Sequence, residues 1–81
     1  MSFSVTWHPK AAKYVETLPK EFRDRVLITI DEVAINPFRY LEHFEGDYYK
    51  LRIGNYRALI DIDFVKKILK VRVFDKRERI Y

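Results

Sequence analysis

Phe3, Val5 and Trp7 alternate with Ser4 and Thr6 at the head of the chain, and this period of two predicts a strand with one buried face. The period then lengthens. His8-Pro9 opens a short helix with Pro at or near its first position; Tyr14, Val15 and Leu18 follow at helical spacing, and Pro19 closes the helix after Leu18. From about Lys20 to Ile35, Phe22, Val26, Ile30, Val33 and Ala34 recur in steps of three and four, with Asn36-Pro37 as the stop. The pair reads as a helical hairpin. Leu27, Ile28 and Ile35 widen the apolar arc of the second helix, and this added breadth is expected to pack the hairpin against itself as well as the sheet, with a protein partner as the alternative cover.

Phe38 to Asp47 has no steady period and ends in Gly46-Asp47, so an ordered loop is expected there. Three β-type runs follow, Tyr48 to Ile53, Tyr56 to Asp63 and Ile68 to Phe74. Gly54-Asn55 joins the first two as a two-residue hairpin turn whose residues both tolerate positive φ, and Phe64 to Lys67 makes the second turn. The predicted fold is α+β: an N-terminal strand and a helical hairpin packed on one face of a mainly antiparallel sheet, in the order β-α-α-β-β-β, as a single domain over residues 1–81.

A two-residue loop at Gly54-Asn55 pairs Ile53 with Tyr56, Arg52 with Arg57, Leu51 with Ala58 and Lys50 with Leu59. Tyr49, Leu51, Ile53, Ala58, Ile60 and Ile62 then face the core, and Leu69, Val71 and Val73 join them from the last strand. The opposite face carries Tyr48, Lys50 and Arg52 beside Arg57, Leu59 and Asp61, with Lys70, Arg72 and Phe74 also pointing outward. Two arginines directly opposite one another repel, and a sequence shaped by folding alone more often sets Arg against Asp or Glu. The plain explanation is an ion-pair network in which Asp61 and Glu78 bridge the arginines; the other is a site for an anion.

Charge favours a polyanion partner. The 81-residue chain carries a formal net charge of +4, and the excess is not spread evenly. Residues 1–46 hold 6 Lys+Arg and 7 Asp+Glu, net −1, whereas residues 47–81 hold 10 and 5, net +5. With 48% hydrophobic and 35% charged residues the chain is globular rather than disordered. Cys is absent, so neither a disulfide nor a thiolate metal site supplements the core. No apolar run approaches a membrane span and the first residues lack a signal-peptide pattern, so a cytoplasmic location is the expectation.

The segments Gly46-Asp47-Tyr48-Tyr49-Lys50-Leu51-Arg52-Ile53-Gly54-Asn55-Tyr56-Arg57 and Lys76-Arg77-Glu78-Arg79-Ile80-Tyr81 resemble the RelE/ParE toxin superfamily. Leu18-Pro19-Lys20-Glu21 and Asn36-Pro37 look like the family's helical hairpin, so the resemblance extends over essentially the whole chain. It implies a small toxin, neutralised by a RelB-like antitoxin, that enters the ribosomal A site, cuts the mRNA there and so inhibits translation. Lys50, Arg52 and Arg57 stand where RelE-type members carry cationic catalytic or RNA-binding groups, and Arg77 and Tyr81 stand where they carry the terminal Arg and Tyr. Tyr48 departs from members with a second Lys at its position, and Asp75 replaces a Gly often seen before the basic segment.

RNA cleavage by its own 2′-OH needs deprotonation of that hydroxyl, stabilisation of a phosphorane, and protonation of the departing 5′ oxygen. His8 and His43 lie off the cationic face in this register, His8 as a helix-entry residue and His43 in a loop, which argues against a paired-His nuclease or a His-based metal site. The expected chemistry is therefore charge-driven, with no metal or other cofactor. Lys50 and Arg57 stabilise the phosphorane, Arg77 contacts the phosphate or leaving oxygen, and Tyr81 or Tyr48 orients the 2′-OH or serves as base. Tyr48, Arg52, Lys70, Arg72, Lys76 and Arg79 make up the remaining RNA-binding surface. Two other functions use the same fold: a ParE-like inhibitor of DNA gyrase without nuclease chemistry, and a basic nucleic-acid-binding domain without toxicity.

Overall fold

The computed structural model describes residues 2–76. Eight elements follow in order: β1 (Ser4–Trp7), α1 (Pro9–Glu16), α2 (Lys20–Ile35), α3 (Pro37–Tyr40), β2 (Glu42–Glu45), β3 (Tyr48–Ile53), β4 (Tyr56–Asp63) and β5 (Ile68–Lys76). Prolines set the helix boundaries. Pro9 and Pro37 occupy first-turn positions where no N–H is needed, and Pro19 stands at the entrance to α2, where its carbonyl accepts from Arg23 N–H at 2.9 Å. His8 caps α1, its Nδ1 accepting from Lys10 N–H at 3.2 Å. Thr17 closes that helix by donating its hydroxyl to Tyr14 O at 2.6 Å.

The strands form one sheet in the order β1-β5-β4-β3-β2. β1 runs parallel to β5, while the other three pairings are antiparallel. Phe3 N–H donates to Ala34 O at 2.8 Å, which ties β1 to the end of α2 as well as to the last strand. Helices cover one side of the sheet. Ala11 and Val15 of α1 and Val26, Ile30, Val33 and Ala34 of α2 meet Leu51, Ala58, Ile60, Leu69 and Val71, all of them buried. The two-layer α+β arrangement thus agrees with the pattern of apolar positions.

Three expectations need correction. The segment from Phe38 to Asp47 is not a loop: it contains α3 and the edge strand β2, so the sheet has five strands and His43 lies in one of them. β2 is only four residues long and its register shifts between His43 and Glu45, so it leaves no period of two to detect. His43 stacks edge-on against Tyr49, with centroids 5.4 Å apart, and its Nε2 is hydrogen-bonded to Gly46 O at 2.8 Å.

The second correction concerns β5. The β4–β5 register shifts between Leu59, opposite Val73, and Ile60, opposite Val71, so Arg72 is the additional residue of a bulge. Beyond it every side chain changes face. Phe74, expected outside, is 3% exposed and packs on Tyr14 and Tyr56, whereas Val73, expected inside, is 40% exposed. Third, the added breadth of α2 does not close the hairpin on itself: Leu27, Ile28 and Ile35 are 44%, 59% and 65% exposed.

The turns follow local chemistry. Gly54 takes φ +60° at the first central position of the β3–β4 hairpin, and Asn55 does not use the positive φ it tolerates. In the β4–β5 turn Asp63 Oδ1 accepts from Val65 and Lys66 N–H at 3.0 and 2.9 Å, and Lys67 adopts φ +57°.

Candidate nucleic-acid interface

Register builds the helix-free face row by row. Arg52 stands opposite Arg57, as the turn length predicted, and Arg57 stands in turn opposite Asp75. The next row is Glu42, Lys50, Leu59 and Val73, and the third is Glu45, Tyr48, Asp61 and Lys70, with Thr6 of β1 at its end. Five cations of the described residues share this face: Lys50, Arg52, Arg57, Lys70 and Arg72.

The Arg52–Arg57 juxtaposition has an acid in its own row. Asp61 lies two rows away and reaches Arg72 instead, with Oδ2 3.8 Å from Nε. Glu78 lies outside the described residues. Asp75 stands directly across the strand from Arg57, in a register where opposite charges attract. Arg57 is 0% exposed, so its guanidinium is withdrawn from solvent while Arg52 remains at the surface. A buried guanidinium needs compensating partners, which makes the acid at position 75 part of the site's architecture.

Other cations are placed less uniformly. Lys50 sits with its ammonium 5.3 Å from the centre of the Phe44 ring, beside Glu42. Lys70 is exposed and flanked by Asp61, and Arg72 projects from the bulge. Lys76 pairs with Tyr56, which puts it in the row of Ile53 on the helix side, away from the others. Tyr48 is 37% exposed on the cationic face. Arg77, Arg79 and Tyr81 lie outside the described residues.

Sequence reading missed two members of this face. Glu42 and Glu45 reach it because β2 pairs with β3, and without that strand their position had no meaning. They temper the field at the sheet edge, so the positive potential concentrates toward β3, β4 and β5. Among the described residues no three His, Asp or Glu side chains converge as a metal site, and no described helix is long and apolar enough to cross a membrane. A row of cations over a rigid sheet with a tyrosine hydroxyl beside it can hold a phosphodiester and stabilise added negative charge on it.

Comparison with known proteins places this geometry in a family. Residues 5–81 match the model of the ParE toxin of type II toxin–antitoxin systems. Among solved structures, the RelE of the archaeal RelE–RelB complex from Pyrococcus horikoshii superposes with a TM-score of 0.81 at 25% identity, covering 98% of this chain and 99% of that one. The RelB–RelE toxin–antitoxin complex from Mycobacterium tuberculosis gives 0.83 at 20% identity, over 95% and 100%. Free Escherichia coli RelE, as a mutant, gives 0.82 at 20%, over 99% and 88%. No curated protein matches the chain. The family match over nearly the whole chain, on a sheet and hairpin superposable on those of RelE, makes this protein a member of the ParE toxin family within the RelE/ParE superfamily, the toxin of a toxin–antitoxin system.

Proposed function

We propose that the protein is a ribosome-dependent endoribonuclease that cleaves mRNA in the A site by attack of the ribose 2′-OH, and that a RelB-like antitoxin holds it inactive. The observation that carries this reading is the row Arg52–Arg57–Asp75 beside Lys50, on a helix-free face whose last strand leads into Arg77 and Tyr81. Lys50 and Arg52 contact the scissile phosphate and stabilise the phosphorane. Arg57, withdrawn from the surface, acts on that phosphate through its field and by fixing Asp75, so it is a positioning residue rather than a contact. Arg77 meets the phosphate or the leaving oxygen, and Tyr81, or Tyr48 from the sheet, orients the 2′-OH. Lys70, Arg72 and Arg79 steer and hold the flanking RNA, without Lys76, which register puts on the helix side. The ribosome supplies the orientation that free RNA lacks.

The antitoxin reading draws on similar toxins in structures described as RelB complexes, one of them 25% identical to this chain. The second reading, inhibition of DNA gyrase, is favoured by the name of the matching family model. The two separate on induction in cells freed of the antitoxin. Nuclease action stops amino-acid incorporation first and leaves the chromosome intact; gyrase poisoning produces double-strand breaks while translation continues. Breaks preceding any loss of incorporation overturn the nuclease reading.

A further inference from the structure

β1 is shorter than the strand it pairs with. Its last ladder residue, Trp7, faces Val71, and His8 N–H makes a final bond to Val71 O at 2.9 Å. β5 then continues from Arg72 to Lys76 with no strand on that side among the described residues. The start of α1 stands across the gap instead, and between them lies a notch of about 620 Å³ lined by His8, Lys10, Tyr14, Arg72, Phe74 and Asp75. Val73 and Asp75 belong to the cationic face by register, so the notch opens at the edge of that face.

The lining is sorted by chemistry. His8 Nδ1 already accepts from Lys10 N–H, so the neutral ring carries its proton on Nε2 and can only donate there. Lys10 is exposed and also donates only, while the Arg72 guanidinium is turned to Asp61 on the open face. The one acid, Asp75, is engaged: its Oδ1 accepts from Lys76 N–H at 2.7 Å and it stands opposite Arg57. The wall between is the half-buried ring of Tyr14, with the buried ring of Phe74 behind it, 5.9 Å between centroids. Two donor side chains at the rim, His8 and Lys10, beside the half-buried ring of Tyr14 suit one nucleotide, phosphate at the rim and base against the ring.

We propose that this notch binds a single nucleotide of single-stranded RNA flanking the scissile phosphate, with His8 Nε2 and Lys10 as the phosphate donors. The inference rests on the nuclease reading for the identity of the RNA, and on the notch alone for its existence. Arg72 adjoins both, since it lines the notch while its guanidinium reaches Asp61 on the open face.

The test uses the full chain and a fluorescent tetranucleotide made uncleavable by 2′-O-methyl groups, with binding followed by anisotropy at low salt. Lys10→Ala is expected to weaken binding about three- to tenfold. Lys13→Ala removes the same charge from the same helix outside the notch, and is expected to change binding by less than about twofold. His8→Asn keeps an N-cap oxygen and deletes the Nε2 donor, so it is expected to match Lys10→Ala at unchanged melting temperature. Equal losses in Lys10→Ala and Lys13→Ala, no loss in Lys10→Ala and His8→Asn, or no binding by the wild-type chain each overturn the notch. If wild-type protein fails to cut ribosome-bound message yet shows the expected binding pattern, the nuclease reading falls and the notch stands. If it cuts and both notch variants cut with unchanged KM, the notch falls and the reading stands.

Discussion

Arg57 and Asp75 show how one residue's environment changes what its type suggests. Placed by register alone, Arg57 is one cation among several on an open face; in the structure it is fully buried, with Asp75 across the strand. Removing Asp75 leaves that guanidinium with an uncompensated charge in a dry setting, so Asp75→Ala is expected to cost about 3 kcal/mol of folding stability by chemical denaturation. Arg57→Met fills similar volume without charge, and the double variant is expected to recover much of the loss, with a coupling of about 1–3 kcal/mol in the double-mutant cycle. Additive single effects would show that the two residues do not communicate. The same folded Arg57→Met protein tests the field argument, because a purely structural arginine predicts an unchanged cleavage rate. At the centre of the sheet, Ile60 is 0% exposed, and Ile60→Ala is expected to cost about 2–5 kcal/mol by the same measurement.

At the scale of elements, legibility in the sequence followed length and punctuation. Pro9, Pro19 and Pro37 and the three- and four-residue apolar steps fixed both long helices, α2 running from Lys20 to Ile35 as expected. Gly54-Asn55 fixed the β3–β4 register, including the opposed arginines. The bulge at Arg72 was not legible, because an additional residue in a strand changes faces without changing composition, and it moved Phe74 inward and Val73 outward. β2 was missed because four bulged residues carry too little pattern, and with it went Glu42 and Glu45. Gly54 at φ +60° has room for a methyl group, its nearest neighbour being Arg25 Nη1 at 3.8 Å, so Gly54→Ala is expected to cost about 1 kcal/mol through backbone strain alone, read as a lower denaturation midpoint. On α2, the hydrogen bond from Lys20 holds the Asp24 carboxyl below its ordinary range. Its contribution is present above the ordinary carboxylate pKa and fades as the pH falls through the lowered one; Asp24→Asn should therefore flatten that part of the acid stability curve.

For the whole molecule, the parallel pairing of β1 with β5 brings the first strand beside the last, so the sheet closes around the cationic strands instead of ending on them. Charge asymmetry between the two halves of the sequence foretold which strands carry the cationic face, but not that acids from β2 would border it or that Asp75 would sit within it. Lys76 left the group because strand register, not proximity in sequence, decides the face. Arg77, Arg79 and Tyr81 carry the remaining chemistry of the proposal and lie outside the described residues, so function itself must report on them. Ribosomes programmed with a defined mRNA, incubated with the purified protein and read by primer extension, give the most direct test, with Arg77→Ala and ribosome-free mRNA alongside. The account predicts cuts at the A-site codon with wild-type protein and none in either control; an intact message with wild-type protein would contradict it.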